Sequence, residues 1–396
     1  MGEQREAVIV GAARIPTGRF LGMLASLSAP ELGAVAIRGA LQRSGIEPSS
    51  IDEVFIGNVV SAGVGQAPAR QAAMKAGLPA SIPATTVNKV CGSGLKAVML
   101  AAQAIRAGDG TTYVAAGMES MSNAPYLLPK ARTGYRLGHA ELLDAEVHDG
   151  LWCAFENQHM GNLAEHIAQV YEISRTEQDR YALESQQKAV AAQTSGAFDA
   201  EIVPVEVTPR GGMPQLFDRD EPPRPSTTLE GLAKLAPVFE SAGTVTAGNA
   251  PGLSDGAAAL VVMERSQAER TGRPILARIL GYANAAREPK MIFAAPPLAI
   301  QLLLQKTGLT LSDFDLIELN EAFAAQVLAN VKELGLDLSR LNVNGGAIAL
   351  GHPIGATGAR ILVTLIYALR KRGVRRGLAS LCLGGGGAVA MAVEAE

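Results

Sequence analysis

Val87-Asn88-Lys89-Val90-Cys91-Gly92-Ser93-Gly94-Leu95-Lys96-Ala97 sets one cysteine among small residues, between a β-branched run and a helical pattern. Leu95, Val98, Met99, Ala102 and Ile105 recur at helical spacing, Lys96, Gln103 and Arg106 fall on the opposite face, and Gly108 supplies a stop. The pattern places Cys91 at a helix N-terminus, where free amide N–H groups and the positive end of the helix dipole favour an anion. Cys91 is therefore read as a nucleophile whose thiolate is more populated than that of a free cysteine. Gly92, Ser93 and Gly94 leave room for a substrate to approach the sulfur. A cysteine beside glycines also serves as a small buried apolar residue, so the decision rests on the remainder of the chain.

The 396 residues are 48% hydrophobic and 18% charged, which is ordinary for a large α/β protein and more chain than one core needs. Forty-three glycines beside 4% aromatics predict a core of Ala, Val, Leu and Ile with many tight backbone approaches. A net charge of −3 without a basic block argues against nucleic acid or a membrane surface as partner. Three cysteines make no disulfide framework, and no metal-ligand spacing occurs, so a reducing, cytoplasmic setting and no metal are expected. Met1 to Arg5 is charged and runs into a strand-like segment with no apolar signal sequence; the last three residues form no targeting tripeptide. The most apolar long stretch, Ala359 to Leu369, is too short to span a bilayer.

Residues 6–14 read as a buried strand. A helix follows from Pro30 to Gly45, then a strand Glu53-Val54-Phe55-Ile56-Gly57, a small-residue helix from Pro68 to Gly77, and strands at Thr85–Val90 and Thr111–Gly117. The alternation implies a mostly parallel sheet with helices on its faces. From Glu119 to about Val245 prolines and glycines break the chain into loops, up to a capping box, Ser174-Arg175-Thr176-Glu177, that opens a helix. Segments of this kind laid across a rigid scaffold carry substrate contacts or oligomer contacts. Strands resume at Gly256–Glu264 and Ile275–Tyr282. Ser312 to Asn320 then echoes Ser50 to Asn58, and Asn342-Val343-Asn344-Gly345-Gly346 stands where the segment before Cys91 stood, ahead of a buried helix from Gly355 to Lys371. This is the signature of a duplicated α/β unit whose equivalent helix N-termini meet. The expected division is an N-terminal half of residues 1–120 and 246–270, an inserted domain of 121–245 and a C-terminal half of 271–396.

Three stretches of the second half concentrate unusual residues: Asn320-Glu321-Ala322-Phe323-Ala324; Gly351-His352-Pro353-Ile354-Gly355-Ala356-Thr357-Gly358; and Cys382-Leu383-Gly384-Gly385-Gly386. Taken singly, the first could cap a helix, the histidine could be structural and the glycines could form a bend. Together with Cys91 they place two thiols, an imidazole and an amide at the ends of predicted elements.

With Val90-Cys91-Gly92-Ser93-Gly94-Leu95-Lys96-Ala97, these stretches resemble the signature blocks of the thiolase family, especially its acetyl-CoA acetyltransferases, and the likeness runs nearly end to end. The resemblance implies a layered α/β/α/β/α fold and a ping-pong Claisen condensation of two acetyl-CoA, or the reverse thiolysis. In it Cys91 carries the acetyl group, His352 accepts the Cys91 proton and Cys382 is the acid/base at the second substrate's methyl. Asn320 would hold a water that joins His352 as one oxyanion donor set, and the N–H groups of Cys91 and Gly384 would form the other. The same resemblance assigns His159 and Met160 to the acyl and pantetheine end of the pocket. Arg224, Thr228 and Leu235 fall to the adenine-nucleotide end, Ala250 and Pro251 to the pantetheine, and Phe323 to an apolar wall. CoA and acetyl-CoA enter as substrates, with no permanently bound cofactor, and a homotetramer built from dimers is implied, with a dimer as the simpler alternative. Two departures bear on substrate choice: Pro251 stands where the family usually has serine, and Ile292-Phe293 where many members have Met-Gly. Longer or branched 3-ketoacyl-CoA substrates are therefore the first alternative. A decarboxylating ketoacyl synthase, a hydroxymethylglutaryl-CoA synthase and a non-catalytic acyl-CoA or lipid-binding relative are the others.

Overall fold

Strands with almost no exposed residue form the centre of the protein, as apolar runs buried on both faces require. The computed structural model describes residues 5–208 and 212–396; Met1 to Gln4, the greater part of the charged N-terminal stretch, lie outside them. Nine main strands are β1 (Ala7–Arg14), β2 (Glu53–Gly57), β3 (Ala84–Val87), β4 (Thr112–Ser120), β5 (Ser254–Glu264), β6 (Ala277–Ala286), β7 (Leu316–Leu319), β8 (Arg376–Leu383) and β9 (Gly387–Ala395). They pair in the order β7-β8-β9-β6-β1-β5-β4-β2-β3, with Gly18–Arg19 added beside β5.

The order repeats itself. In the first half β5 runs antiparallel to β4, and β4 parallel to β2; in the second, β9 runs antiparallel to β8, and β8 parallel to β7. The halves join where β1 meets β6 through only two residue pairs, Val8 with Arg278 and Ile9 with Ala277. Short 3₁₀ turns, Pro48–Ser50 and Leu311–Asp313, feed β2 and β7, as the matching acidic turns in the sequence predict. The sheet is mixed, not mostly parallel: β1, β5, β6 and β9 pair antiparallel, because β5 and β9 return into the sheet beside β4 and β8.

Eight helices position the site: α1 (Ala29–Ser44), α2 (Pro68–Lys75), α3 (Ser93–Ala107), α4 (Met160–Val170), α5 (Arg175–Thr194), α6 (Ala295–Thr307), α7 (Ala324–Leu334) and α8 (Ile354–Arg372). Leu95, Val98 and Ile105 of α3 and Ile361, Leu365 and Leu369 of α8 share one core with residues of strands from both halves. These two helices are therefore the inner layer. α1 and α2 pack on the outer face of the first half, and α6 and α7 on that of the second, which completes the α/β/α/β/α stack. The expected capping box holds at α5, where Glu177 accepts from Ser174 N–H at 2.7 Å and Ser174 Oγ accepts from Glu177 N–H at 3.3 Å.

The inner helices touch at their first turns. A Cβ on Gly94 would lie 2.7 Å from the Ala359 backbone nitrogen, and one on Gly358 would lie 2.4 Å from that of Leu95. The two glycines interlock, and neither position tolerates a methyl group without moving backbone. Gly94→Ala and Gly358→Ala are expected to lower stability by about 1–3 kcal/mol each through overpacking. Gly252→Ala, where a Cβ meets open space, should stay within about 0.5 kcal/mol. Thermal unfolding of the three variants checks this.

Candidate active site

The chain reaches Cys91 through a strained turn. Val90 has φ +47°, which for a β-branched residue costs about 1–3 kcal/mol unless its surroundings enforce it. They do: Val90 N–H donates to Asn88 Oδ1 at 3.0 Å, and its carbonyl accepts from Ser93 N–H at 3.0 Å and Ser93 Oγ at 2.6 Å. Ser93 Oγ also accepts from Lys89 N–H at 2.8 Å. The turn sets Cys91 one residue before Gly92, the N-cap of α3.

Cys91, His352, Cys382 and Gly384 all line one cavity of about 440 Å³, together with His159, Met160, Ala250, Pro251 and Phe323. His352 is buried in the turn that precedes α8, and Cys382 is buried near the end of β8. Gly384 starts the hairpin to β9, whose Gly385 and Gly386 both have positive φ, +82° and +84°, the conformation that a tight turn between right-twisted strands requires. Asn320 follows β7 and is buried, and among the described residues neither its Nδ2 nor its Oδ1 has a protein partner. Buried amides are normally paired; Asn320 itself is not on the cavity lining, which its chain neighbours Ala322 and Phe323 reach. The remaining expected residues lie elsewhere. Arg224 borders a separate depression with Gln186, Val190 and Thr227, Thr228 caps a one-turn helix through Gly231 N–H at 3.0 Å, and Leu235 is partly exposed, outside the cavity lining.

The thiol departs from the sequence-based expectation. A helix N-terminus favours a thiolate, yet burial pushes the Cys91 thiol up to about 12, aided by the charges of Glu119 and Glu146 and opposed by the N–H groups of Cys91 and Gly384. Desolvation outweighs the dipole here. Cys382 is pushed well above the usual thiol range by burial and by Cys91. Burial acts the other way on His352, holding it down to about 3 with help from the Arg360 charge. Thiol and imidazole thus rest as a neutral pair.

The tautomer of His352 follows from its neighbours. Thr357 Oγ1 lies 2.7 Å from Nδ1 and 2.8 Å from the Pro353 carbonyl. A hydroxyl has one proton; donated to that carbonyl, it leaves Oγ1 to accept from Nδ1–H, so Nε2 carries the free lone pair. Thr357 had no place in the sequence reading, although it falls one helical turn and a residue beyond His352 in the same glycine-rich stretch. Glu119 was missed in the same way. Buried at the end of β4, it accepts from Asn58 Nδ2 at 2.8 Å and from the N–H groups of Val59 at 3.0 Å, Val60 at 3.2 Å and Gly355 at 2.9 Å, fastening the start of α8. An acid inside an otherwise apolar strand was its only signal. Among the described residues no cluster of His, Cys, Asp and Glu could hold a metal ion, and no helix is long and apolar enough to cross a membrane.

A doubled α/β scaffold that brings a thiol, an imidazole base and a second thiol to one apolar cavity defines a thiol-dependent acyltransferase. Family models described as the thiolase N-terminal domain and the thiolase C-terminal domain match residues 7–266 and 273–395, and the chain belongs to the thiolase family. The acetyl-CoA acetyltransferase of Pseudomonas aeruginosa is 54% identical over 392 residues, covering 99% of this chain and all of that protein. That of Escherichia coli is 55% identical over 391 residues, covering 98% and 99%. The crystal structure of the Bacillus anthracis acetyl-CoA acetyltransferase superposes with a TM-score of 0.98 at 44% identity, over the full length of both chains.

Thr357→Val should leave the Nδ1–H of His352 unpaired in a buried site, a cost of about 1–3 kcal/mol. The expected loss in kcat/KM is about tenfold to a hundredfold, with the fold unchanged by circular dichroism; steady-state kinetics check it.

Proposed function

We propose that the protein transfers acetyl groups between CoA thioesters, condensing two acetyl-CoA to acetoacetyl-CoA and CoA and running the reverse thiolysis, through an acetyl-Cys91 intermediate. The observation that carries the reading is the convergence of Cys91, His352 and Cys382 on one cavity, with the N–H groups of Cys91 and Gly384 facing the Cys91 sulfur. Relatives named acetyl-CoA acetyltransferases support the substrate class.

In the first half-reaction the Cys91 proton passes to Nε2 of His352 as sulfur attacks the thioester carbonyl. The tetrahedral intermediate collapses, the C–S bond to CoA breaks, and His352 returns the proton to the departing CoA thiolate. In the second, Cys382 releases its proton to solvent and as thiolate removes a proton from the methyl group of another acetyl-CoA. The carbanion attacks acetyl-Cys91, and the Cys91 thiolate set free at the end of the step takes a proton back from solvent. Negative charge gathers on a thioester oxygen in both halves. The N–H groups of Cys91 and Gly384 serve one oxyanion, and His352 with a water held by Asn320 serves the other.

The cavity wall supports a short acyl group. Ile292 and Phe293 are buried and line it, and Phe293 stands edge-on to Phe323 with ring centroids 5.2 Å apart. Pro251, also on the lining, offers neither N–H nor hydroxyl, so the amide it faces meets apolar surface. Arg224, Thr228 and Leu235 are assigned to the nucleotide end of CoA, outside the reacting cavity. The assembly is assigned as a homotetramer of paired dimers, located in the cytoplasm.

Cys91→Ala should abolish turnover and covalent acetyl labelling, and normal transfer by that variant would overturn the reading. Cys382→Ala should still accept acetyl on Cys91 while losing carbon–carbon bond formation and cleavage; mass spectrometry of the Cys91 peptide separates the two. Asn320→Ala is expected to cost about 10²–10³ in kcat, the usual effect of losing one oxyanion donor.

A further inference from the structure

Behind the cavity wall sits a carboxyl group that the chemistry above leaves unused. Glu146 opens a single π-helical turn, Glu146–Leu151, from which Val147, Gly150 and Leu151 line the cavity. Its side chain is buried, and among the described residues neither carboxyl oxygen has a hydrogen-bond partner. Gly150, which lines the cavity, lies against that carboxyl group. A Cβ built on Gly150 would lie 3.0 Å from Glu146 Oε1 and 3.0 Å from Ile354 Cδ1, and Ile354 lines the cavity and packs in one cluster with Cys91.

We propose that Glu146 is a positioning residue that works as an uncharged carboxylic acid beside Cys91, and that its ionisation holds the Cys91 thiol protonated. This rests on Cys91 being the nucleophile. The charged groups that face Glu146 are Glu119 on β4, Asp255 on β5 and Asp144 two residues earlier, all acidic. Glu119 is occupied by the four donors that anchor α8, and Asp255 by Ser122 N–H at 2.9 Å and Ser122 Oγ at 2.6 Å. Among the described residues Glu146 has neither a donor nor a cation to offset its charge. Burial and those three neighbours push it up to about 8. A buried acid with a raised pKa is neutral below that value and anionic above it. The negative charge on Glu146 in turn acts on Cys91 in the direction of the thiol. The thiolate of Cys91 therefore gains less from rising pH than an isolated thiol does, starting where Glu146 loses its proton.

The test is the pH dependence of Cys91 alkylation by iodoacetamide in the full-length protein, followed by mass spectrometry of the Cys91 peptide, for the wild type and Glu146→Gln. Below about pH 7 both carry an uncharged side chain and should react at the same rate. Above pH 8 the wild-type rate should climb less than in proportion to hydroxide, while the variant keeps the full slope. By pH 9.5 the variant should react about tenfold faster, the equivalent of one pKa unit. A merely structural role shifts both ends of the profile equally or neither. If Glu146→Gln fails to fold, Glu146→Met supplies the same neutral state and the same expected slope. Superimposable profiles, or a uniform change at all pH values, would overturn the proposal. Alkylation needs no acyl-CoA, so that result would leave the acetyl-transfer reading to the Cys91→Ala experiment.

Discussion

Two helices approach backbone to backbone at their first turns because Gly94 and Gly358 have no side chains. Everything at the site depends on this contact. Cys91 lies just before one of these helices and His352 just before the other, each in a different copy of the repeated unit, and a methyl group at the crossing would push them apart. The contact has an electrostatic cost, since it brings two positive helix ends together. Glu119 answers part of it by accepting the N–H of Gly355 at 2.9 Å in the first turn of α8. A carboxylate in the middle of an apolar core is thus a condition of the geometry.

Burial then decides the resting protonation. It raises the thiol and lowers the imidazole, so the site holds a neutral donor and a neutral acceptor instead of an ion pair. Under the proposed roles, the helix ends and the N–H groups of Cys91 and Gly384 gain their main target when charge moves onto a substrate oxygen. Interactions that strengthen only as the transition state forms are the ones that accelerate a reaction. A site already holding a thiolate would have spent part of that field on its own nucleophile.

The fold was legible in the sequence to the extent that it is written in periodicity. The strand at Glu53–Gly57, the capped helix from Ser174, the echo of Ser50–Asn58 in Ser312–Asn320 and the meeting of helix N-termini all follow from local patterns that the packing leaves intact. The mixed character of the sheet was not legible, because strand direction depends on where β5 and β9 re-enter, and no local signal records that. Cys91, His352, Cys382 and Asn320 stood out because polar or reactive residues beside clustered glycines are conspicuous. Thr357, Glu119 and Glu146 did not. A hydroxyl that fixes a tautomer looks like any helix threonine, and an acid without a partner looks like surface until its burial is known. The ionisation of Cys91 was misjudged because a helix dipole can be read from sequence, whereas the depth of desolvation cannot.

The two thiols also bear on each other's ionisation. The charges of Cys91 and Cys382 disfavour one another, so the pair does not ionise together. Cys91 rests as a neutral thiol and is equally neutral as a thioester, so burial is the larger reason that Cys382 resists ionisation. The burial that delays its ionisation also makes the resulting thiolate unusually basic, which suits it to take a proton from carbon. The apolar wall of Ile292, Phe293 and Phe323 limits the water that could return a proton to the carbanion. Under the proposed roles, one low-dielectric hollow thus keeps Cys382 a thiol at rest and makes its thiolate, once formed, a strong base toward carbon.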